Sequence, residues 1–272
     1  MGTEVQGRDA QAEINARLWS AGQFVKTYDN PNLLPVETVI LARYREAITG
    51  RVLDLGCGAG RLLGYLVLLG DDAHGVDISP QMVDHCRRRF PGTDVRVGDL
   101  ADVKASIEGP FDAVLMSDNL IDVFDDAQRR RVLADLGELL APGGLLVFSS
   151  HNLDQWDQAA RTPSSRVKEA AMAAARRSPA GWARTAMGIP AARRNRRRLG
   201  PLQYRDGDHA VVNDVAHNYA LLHYYIGRVA QERQLADVGL DLVEVLEADG
   251  RAVPTGEAGQ SPWLYYIATP TA

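Results

Sequence analysis

Between residues 51 and 148, short apolar runs alternate with segments whose apolar residues recur at helical spacing. Apolar runs of four to eight residues are typical of buried parallel strands, and helical spacing indicates helices that cover such a sheet. The predicted strands are 52–55, 73–76, 94–97, 113–116 and 144–148. The predicted helices between them are 61–69, 80–90, 100–107 and 127–140. This succession predicts an α/β fold with a doubly wound, mostly parallel sheet.

The flanking segments have a different pattern. Residues 10–24 and 36–49 show helical spacing, so 1–50 are predicted to form an N-terminal helical lid over a core at 51–152. Segment 153–205 is rich in alanine and arginine and interrupted by proline and glycine, which predicts a helical insertion after strand five. A helix at 227–238 and strands at 240–246 and 263–268 complete the predicted sheet. We expect a single domain over 1–272, with 206–272 also forming a wall of the acceptor site.

Composition narrows the class of protein. A hydrophobic share of 46% is ordinary for a globular chain, so a disordered or fibrous protein is excluded. No stretch approaches the roughly 18 apolar residues of a membrane helix, and the polar start lacks a signal-peptide core, so a cytoplasmic location is expected. The net charge of −5 hides a basic segment, because residues 155–206 hold 12 Lys or Arg against 3 Asp or Glu.

A glycine-rich turn, Gly56-x-Gly58-x-Gly60, follows the first predicted strand, with Asp54 two residues before it. Glycines at such a turn let backbone amides approach a ligand closely, and the start of the next helix favours negative charge. A dinucleotide turn has the spacing G-x-G-x-x-G, which needs glycine at 61 or 63, where the chain has arginine and leucine. The spacing therefore disfavours a nicotinamide cofactor.

Acidic residues end the next two predicted strands. Asp77 lies 21 positions after Gly56, where a carboxylate accepts hydrogen bonds from ribose hydroxyls. Asp99 ends the third strand, where its carboxylate can accept a hydrogen bond from the amino group of an adenine. Since parallel strands end at one edge of a sheet, these groups indicate an adenosine-containing ligand at that edge.

With these motifs, the chain resembles the class I S-adenosylmethionine-dependent methyltransferases. The resemblance rests on segments 52–60, 75–79, 98–100, 111–118 and 141–144, taken in their order and spacing. It implies a Rossmann-like, seven-stranded sheet with an antiparallel last strand, S-adenosyl-L-methionine as cofactor and S-adenosyl-L-homocysteine as product. The residues it implies for cofactor binding are Tyr28, Asp54, Gly56, Gly58, Gly60, Asp77, Ile78, Met82, Asp99, Leu100, Ser117 and Asp118.

The resemblance gives these residues separate roles. Asp54 and Gly56 lie near the methionine moiety, Asp77 binds the ribose, and Asp99 binds the adenine amino group. Ile78 and Met82 would flank the adenine ring. Tyr28 is expected to close over the cofactor, and Ser117 and Asp118 to face both cofactor and acceptor.

A hydroxyl or amine acceptor needs a group that takes its proton. His151 follows the fifth strand, and His217, His223 and Tyr225 belong to a segment dense in histidine and tyrosine, so these four are the candidate catalytic residues. For each histidine, a hydrogen bond that only orders a loop is the alternative.

No metal is predicted, although one metal set stays open. Asp118, His151, Asn152 and Asp154 resemble the ligand placement of magnesium-dependent O-methyltransferases. Those enzymes, however, carry acidic residues where His151 stands.

The predicted function is methyl transfer to an oxygen or nitrogen of a small-molecule or peptidyl acceptor, in specialised metabolism. The alternatives are a nicotinamide-dependent oxidoreductase and a non-catalytic binding module that keeps the fold. The basic segment is either a solvated lid, an attractor of an anionic acceptor, or a docking surface for nucleic acid or membrane. Nucleic-acid methylation is disfavoured because 118–121 lack the Pro-Pro-aromatic motif of amino-methylating DNA enzymes. The oligomeric state is left open.

Overall fold

The computed structural model describes residues 11–17, 31–160 and 179–271. In that part of the chain, ten strands form one mixed sheet. The strands are β1 (Arg51–Leu55), β2 (Asp72–Asp77), β3 (Asp94–Val97), β4 (Phe111–Met116), β5 (Leu140–Asn152), β6 (Tyr204–Asp206), β7 (His209–Val212), β8 (His223–Ile226), β9 (Leu240–Leu246) and β10 (Trp263–Pro270).

Seven of these strands form the predicted core. Their order is β3-β2-β1-β4-β5-β10-β9, in which β1 to β5 are parallel and β10 is antiparallel to both neighbours. The doubly wound fold with an antiparallel last strand is therefore confirmed. The parallel strands all end at one edge, which is where such sheets bind ligands.

The sheet is larger than the seven strands predicted, because β6, β7 and β8 extend it. β4 pairs with β5 only as far as Met116 opposite Phe148, whereas β5 continues to Asn152. β8 pairs in parallel with this extension of β5, with His151 opposite Tyr225. An unpaired strand edge needs a partner for its backbone groups, and this extension supplies one.

Helices cover both faces of the sheet. They are α1 (residues 11–17), α2 (Pro35–Arg43), α3 (Arg45–Ile48), α4 (Leu63–Leu69), α5 (Pro80–Arg89), α6 (Val103–Ser106), α7 (Asp126–Glu138), α8 (Leu153–Ala160), α9 (Pro179–Leu199) and α10 (Arg228–Asp237). The predicted helical insertion thus contains α8 and α9 but ends in strand β6. Among the described residues, no helix is long and apolar enough to cross a membrane.

Two apolar clusters lie on opposite faces of the sheet. In β5, Phe148 packs into one cluster and Val147 into the other, and Tyr266 and Ile267 of β10 divide in the same way. Because side chains of a strand alternate between faces, each buried strand contributes side chains to both apolar clusters. This packing fixes the strand ends that carry the candidate site.

Candidate active site

A cavity of about 610 Å³ lies at the carboxyl ends of the parallel strands. Most of the residues predicted from the sequence line it. These are Gly56, Gly58, Asp77, Ile78, Met82, Asp99, Leu100, Ser117, Asp118, His151, His217 and His223. The structure therefore brings the predicted cofactor motifs and the three candidate histidines to one space, with α1 also contributing to its wall.

The glycine turn leaves bare backbone at the cavity wall. Gly56 and Gly58 have φ of 66° and 53°, in the left-handed region that favours glycine. A Cβ at Gly56 would collide with the Leu120 side chain, whereas a Cβ at Gly58 would enter open space. Glycine at 58 therefore keeps room for a bound group.

Asp77 is held in place by the same turn. Its Oδ2 accepts a hydrogen bond from the Gly58 N–H at 2.9 Å, and its Oδ1 accepts one from the Ser79 N–H at 2.8 Å. Burial raises the pKa of Asp77, while these two bonds oppose the rise. Each carboxylate oxygen keeps acceptor capacity that can face the cavity.

Asp99 caps the short helical turn after β3, where its Oδ1 accepts from the Ala101 N–H at 2.9 Å. The apolar side chains of Ile78, Met82 and Leu100 line the cavity around this carboxylate. This end of the cavity thus combines one carboxylate with an apolar surround, which suits a flat heterocycle that carries an amino group.

Asp54 does not line the cavity described. Its side chain is buried beneath the turn, and its Oδ2 has no hydrogen-bond partner within the described structure. Burial raises the pKa of Asp54 to about 8, against the opposing charge of Arg61. The carboxylate expected beside the methionine moiety is therefore buried and does not form part of the cavity wall.

Two further predicted residues also lie outside the wall, and Tyr28 lies outside the described residues. A Cβ at Gly60 would meet the Cys86 sulfur and the Phe90 ring, so this glycine permits close packing of α5. Tyr225 is buried, and its hydroxyl donates to Asp214 Oδ2 at 2.9 Å.

Asp118 is positioned by an ion-pair network. Arg61 donates to Asp118 Oδ2 at 2.9 Å and also pairs with the buried carboxylate of Glu37. The Ser117 hydroxyl donates to Glu37 Oε1 at 2.9 Å. Glu37 therefore connects α2 to the loop after β4, although it was not predicted as a site residue.

His151 is paired with a buried carboxylate. Its Nδ1 lies 2.7 Å from Asp122 Oδ2, which also accepts the His151 backbone N–H at 2.7 Å. Burial alone would raise the pKa of Asp122, but the Arg129 guanidinium and the bonds from His151 hold it below its usual range. The Asn119 amide nitrogen is 3.3 Å from His151 Nε2. An amide N–H only donates, so Nε2 accepts and Nδ1 carries the hydrogen given to Asp122.

His223 forms a second pair of this kind. Its Nδ1 lies 2.8 Å from Asp214 Oδ2, the oxygen that Tyr225 also reaches. Burial opposes ionisation, yet the hydrogen bond and charge of His223 lower the pKa of Asp214 to about 2. His223 and His151 stack with ring centroids 5.1 Å apart.

His217 reaches the cavity from a strained turn. His217, Asn218 and Tyr219 are consecutive non-glycine residues with φ of 49°, 57° and 58°. Asn213 secures the turn by donating to the Tyr219 and Leu221 carbonyls at 2.9 and 2.7 Å. Burial and the neighbouring His223 charge lower the pKa of His217. Such backbone strain in a cavity wall is typical of functional positions.

The structure does not assemble the metal set left open by the sequence. Asn152 donates its amide to the Ala258 and Ser261 carbonyls, and Asp154 accepts the Arg228 N–H. A different group of possible ligand atoms lies together, since His151, Asp214 and His223 each offer one within 4.8 Å of the others.

Asp122 and Asp214 are the functional candidates that sequence reasoning missed. They lie 29 and 9 positions from the histidines that they contact. No motif separates them from the other acidic residues, because only the meeting of β5, β8 and the loop after β4 makes them partners.

The comparisons with known proteins agree with this geometry. Residues 52–144 match the model of a methyltransferase domain family. The chain is 38% identical over 109 residues to the magnesium-protoporphyrin O-methyltransferase of Rhodobacter capsulatus, over 38% of this chain and 47% of that protein. It is 36% identical over 149 residues to the ubiquinone biosynthesis O-methyltransferase of Xanthomonas campestris pv. campestris (strain B100), over 53% of this chain and 60% of that protein. The chain therefore spans about half the length of these curated relatives.

The match over residues 52–144 identifies a methyltransferase domain, which supports the resemblance to the class I S-adenosylmethionine-dependent methyltransferases. This family uses S-adenosyl-L-methionine, which argues against the nicotinamide-dependent alternative.

Solved structures show the same fold. The CcbJ methyltransferase of Streptomyces caelestis aligns with a TM-score of 0.58 and 18% identity, over 93% of this chain and 98% of that one. The 1,6-didemethyltoxoflavin-N1-methyltransferase of Burkholderia thailandensis, solved with bound 1,6-didemethyltoxoflavin and S-adenosylhomocysteine, aligns with a TM-score of 0.58 and 16% identity, over 97% and 91%.

Proposed function

We propose that this protein transfers a methyl group from S-adenosyl-L-methionine to an oxygen or nitrogen of a small-molecule acceptor. The observation that carries the proposal is one continuous cavity with the glycine turn and Asp77 at one end and His151 at the other. Both curated relatives are named O-methyltransferases, which favours oxygen as the methylated atom. A peptidyl acceptor, a role in specialised metabolism and a cytoplasmic location stay predictions.

The residues present fit the cofactor. The open space over Gly58 is room that any other side chain would fill, and the Asp77 carboxylate is suited to receive ribose hydroxyls. Asp99, with Ile78 and Leu100 beside it, would receive the adenine. Bound there, the cofactor would supply a methyl group already activated on a sulfonium. Aligned approach and exclusion of water then give much of the rate enhancement.

His151 is proposed to take the acceptor proton. Asp122 fixes the ring by its bond to Nδ1, and the acceptor would replace the Asn119 amide at the lone pair of Nε2. Because the carboxylate is buried and backed by Arg129, it can stabilise the imidazolium that forms when Nε2 receives a proton. His217 and His223 would border the acceptor rather than start the proton transfer.

A binding and labelling experiment tests the proposal. The purified protein is titrated calorimetrically with S-adenosylhomocysteine and with NAD, then incubated with methyl-labelled cofactor and fractionated extract of its own source. We expect it to bind S-adenosylhomocysteine but not NAD, and to transfer label to a small molecule. Binding of NAD alone would refute the assignment.

Two matched variants separate catalysis from binding. His151→Gln should keep the affinity for S-adenosylhomocysteine and lose about 100-fold or more in methyl transfer, since a general base contributes roughly 10²–10⁴. His85→Gln changes a histidine of α5 that does not line the cavity and should behave as wild type. Equal transfer rates in both variants would remove His151 from the mechanism.

A further inference from the structure

Two histidine–carboxylate pairs face the same part of the cavity. His151 is bound to Asp122 and His223 to Asp214, in both cases through Nδ1. Both rings line the cavity, and their centroids are 5.1 Å apart with an angle of 28° between the planes. A single proton acceptor needs only one such pair, so the second pair requires its own explanation.

The sheet extension creates this arrangement. β8 pairs with β5 so that Tyr225 lies opposite His151, and His223 lies two residues before Tyr225 on the same face of β8. The Tyr225 ring stacks on the His151 ring with centroids 4.5 Å apart, and its hydroxyl donates a hydrogen bond to Asp214. Both imidazoles are therefore fixed at their Nδ1 side, and Nε2 is the remaining nitrogen of each ring. At His151 a ligand that bonds to Nε2 would replace the Asn119 amide.

The described wall offers hydrogen-bond acceptors and little positive charge. None of the described residues lining the cavity is a lysine or arginine, whereas Glu13, Asp77, Asp99 and Asp118 are acidic. Asn119, next to His151, has a buried Oδ1 without a hydrogen-bond partner in the described structure. A buried acceptor left unpaired is destabilising, so a ligand that donates hydrogen bonds is favoured here and an anion is not.

We propose that the methyl acceptor carries two neighbouring proton-bearing groups, such as adjacent hydroxyls or a hydroxyl beside an amino group. One group meets Nε2 of His151 and is methylated, and its neighbour donates to Nε2 of His223. The acceptor has no anionic group at this end of the cavity. The basic end of α9 contacts the turn that carries His217, through Asn195 and Arg196, but none of its arginines lines the cavity. This inference rests on the proposed methyltransferase function and names the substrate class of the same site.

Matched phenols test the inference directly. The protein, saturated with S-adenosylhomocysteine, is titrated with 1,2-dihydroxybenzene, 1,3-dihydroxybenzene, phenol and 2-hydroxybenzoate. We expect the 1,2-isomer to bind about tenfold more tightly than the 1,3-isomer or phenol, because only its second hydroxyl can form an additional hydrogen bond to His223. The carboxylate probe should bind more weakly than phenol.

Variants assign the preference to the second pair. His223→Gln and His223→Phe should bind the 1,2- and 1,3-isomers equally and keep their affinity for S-adenosylhomocysteine. The phenylalanine variant keeps a ring for stacking on His151, so it separates the lost nitrogen from lost packing. The His85→Gln control should keep the wild-type preference.

Three results would overturn the inference. One is equal binding of the two isomers to wild type, and another is tighter binding of 2-hydroxybenzoate than of 1,2-dihydroxybenzene. The third is stoichiometric binding of Co²⁺ that is lost in His223→Gln, because a cation held by His151, Asp214 and His223 would occupy both nitrogens. If S-adenosylhomocysteine itself fails to bind, the proposed function fails instead, so the two failures are distinguishable.

Discussion

The two ends of the cavity are built in opposite ways. The proposed cofactor end comes from a short continuous part of the chain, chiefly the turn after β1 and the ends of β2 and β3. The proposed acceptor end joins residues around 12–16, 119–124, 151 and 216–223. One end therefore depends on local motifs, and the other on contacts between distant segments.

Buried amides hold the distant segments together. Gln11 of α1 donates to the Phe124 carbonyl at 3.1 Å, and Asn15 donates to the Leu222 carbonyl at 2.8 Å. Leu222 returns a bond from its N–H to Asn15 Oδ1 at 3.2 Å. Because these bonds connect α1, the loop after β4 and the segment before β8, the acceptor end is also part of the folded core. We expect substitutions there to affect stability, and substitutions at the cofactor end to affect affinity.

The largest expected effect is on stability at the acceptor end. Asp122→Ala leaves the buried Arg129 guanidinium without its carboxylate, and removing one partner of a buried ion pair costs about 3–5 kcal/mol of unfolding free energy. Urea unfolding measures the loss. The matched variant Asp118→Ala breaks a pair whose carboxylate is 53% exposed and should cost about 1 kcal/mol or less. Equal losses in the two variants would contradict the stabilising role given to the buried Asp122–Arg129 pair.

The next effect is on cofactor affinity with the fold retained. Asp77→Ala should weaken binding of S-adenosylhomocysteine by roughly 1.5–4 kcal/mol, because hydrogen bonds to a charged group contribute about 1.5–3 kcal/mol each and are not additive. Titration calorimetry checks the affinity, and thermal unfolding checks the fold. Asp94→Ala, at the opposite end of β3, serves as the control and should bind normally. An unchanged dissociation constant in folded Asp77→Ala would remove Asp77 from the ribose site.

A pH effect is expected beneath the glycine turn. Burial raises the pKa of Asp54 to about 8, so the folded protein holds a proton that the unfolded chain, with a pKa of about 3.9, has released. The stability from this group is complete below pH 4 and is lost as the pH rises towards 8, by about 1.4 kcal/mol per pH unit. Asp54→Asn cannot titrate, so urea unfolding at pH 5, 6 and 7 should show a shallower decline than in wild type. Parallel profiles would show that Asp54 is ionised in the folded protein.

The smallest effect is expected from the arginines of α9. Arg193, Arg194, Arg196, Arg197 and Arg198 are exposed, and none of them lines the cavity. Replacing all five by Gln should change the affinity for S-adenosylhomocysteine less than about twofold at 0.1 M salt and above, since exposed charges are screened beyond about 10 Å at 0.1 M salt. Calorimetry at two salt concentrations in this range measures the affinity. A marked, salt-dependent loss would mean that α9 contributes to the cofactor end.

The cofactor end shows what local sequence carries. Each motif at this end is defined by a few neighbouring residues. The Gly56-x-Gly58 spacing indicates a left-handed backbone turn, and an aspartate at a strand end, as at Asp77 and Asp99, indicates a hydrogen-bond acceptor for a ligand. The structure places these residues at the cavity. Asp54 and Gly60 belong to the same motif, but their neighbours in α4 and α5 decided that one is buried and the other packs against Phe90.

The acceptor end shows what local sequence omits. The density of histidine and tyrosine at 216–225 predicted a functional segment, and the structure places His217 and His223 in the cavity wall. The pairing of His151 with Asp122 and of His223 with Asp214 was not visible. The burial of Tyr225 was not visible either. These contacts depend on strand β8 pairing with the part of β5 that extends beyond β4.

By itself, the sequence determined the doubly wound sheet, the resemblance to a methyltransferase family and the residues of the glycine turn, because hydrophobic period and glycine geometry act over a few neighbouring residues. Only the tertiary structure decided which carboxylate holds which histidine, and that two such pairs stand side by side. Hydrogen bonds between segments more than a hundred residues apart, such as Gln11 to Phe124, become possible only after the sheet has formed. The partners in such bonds are set by the paired strands and not by any spacing along the chain.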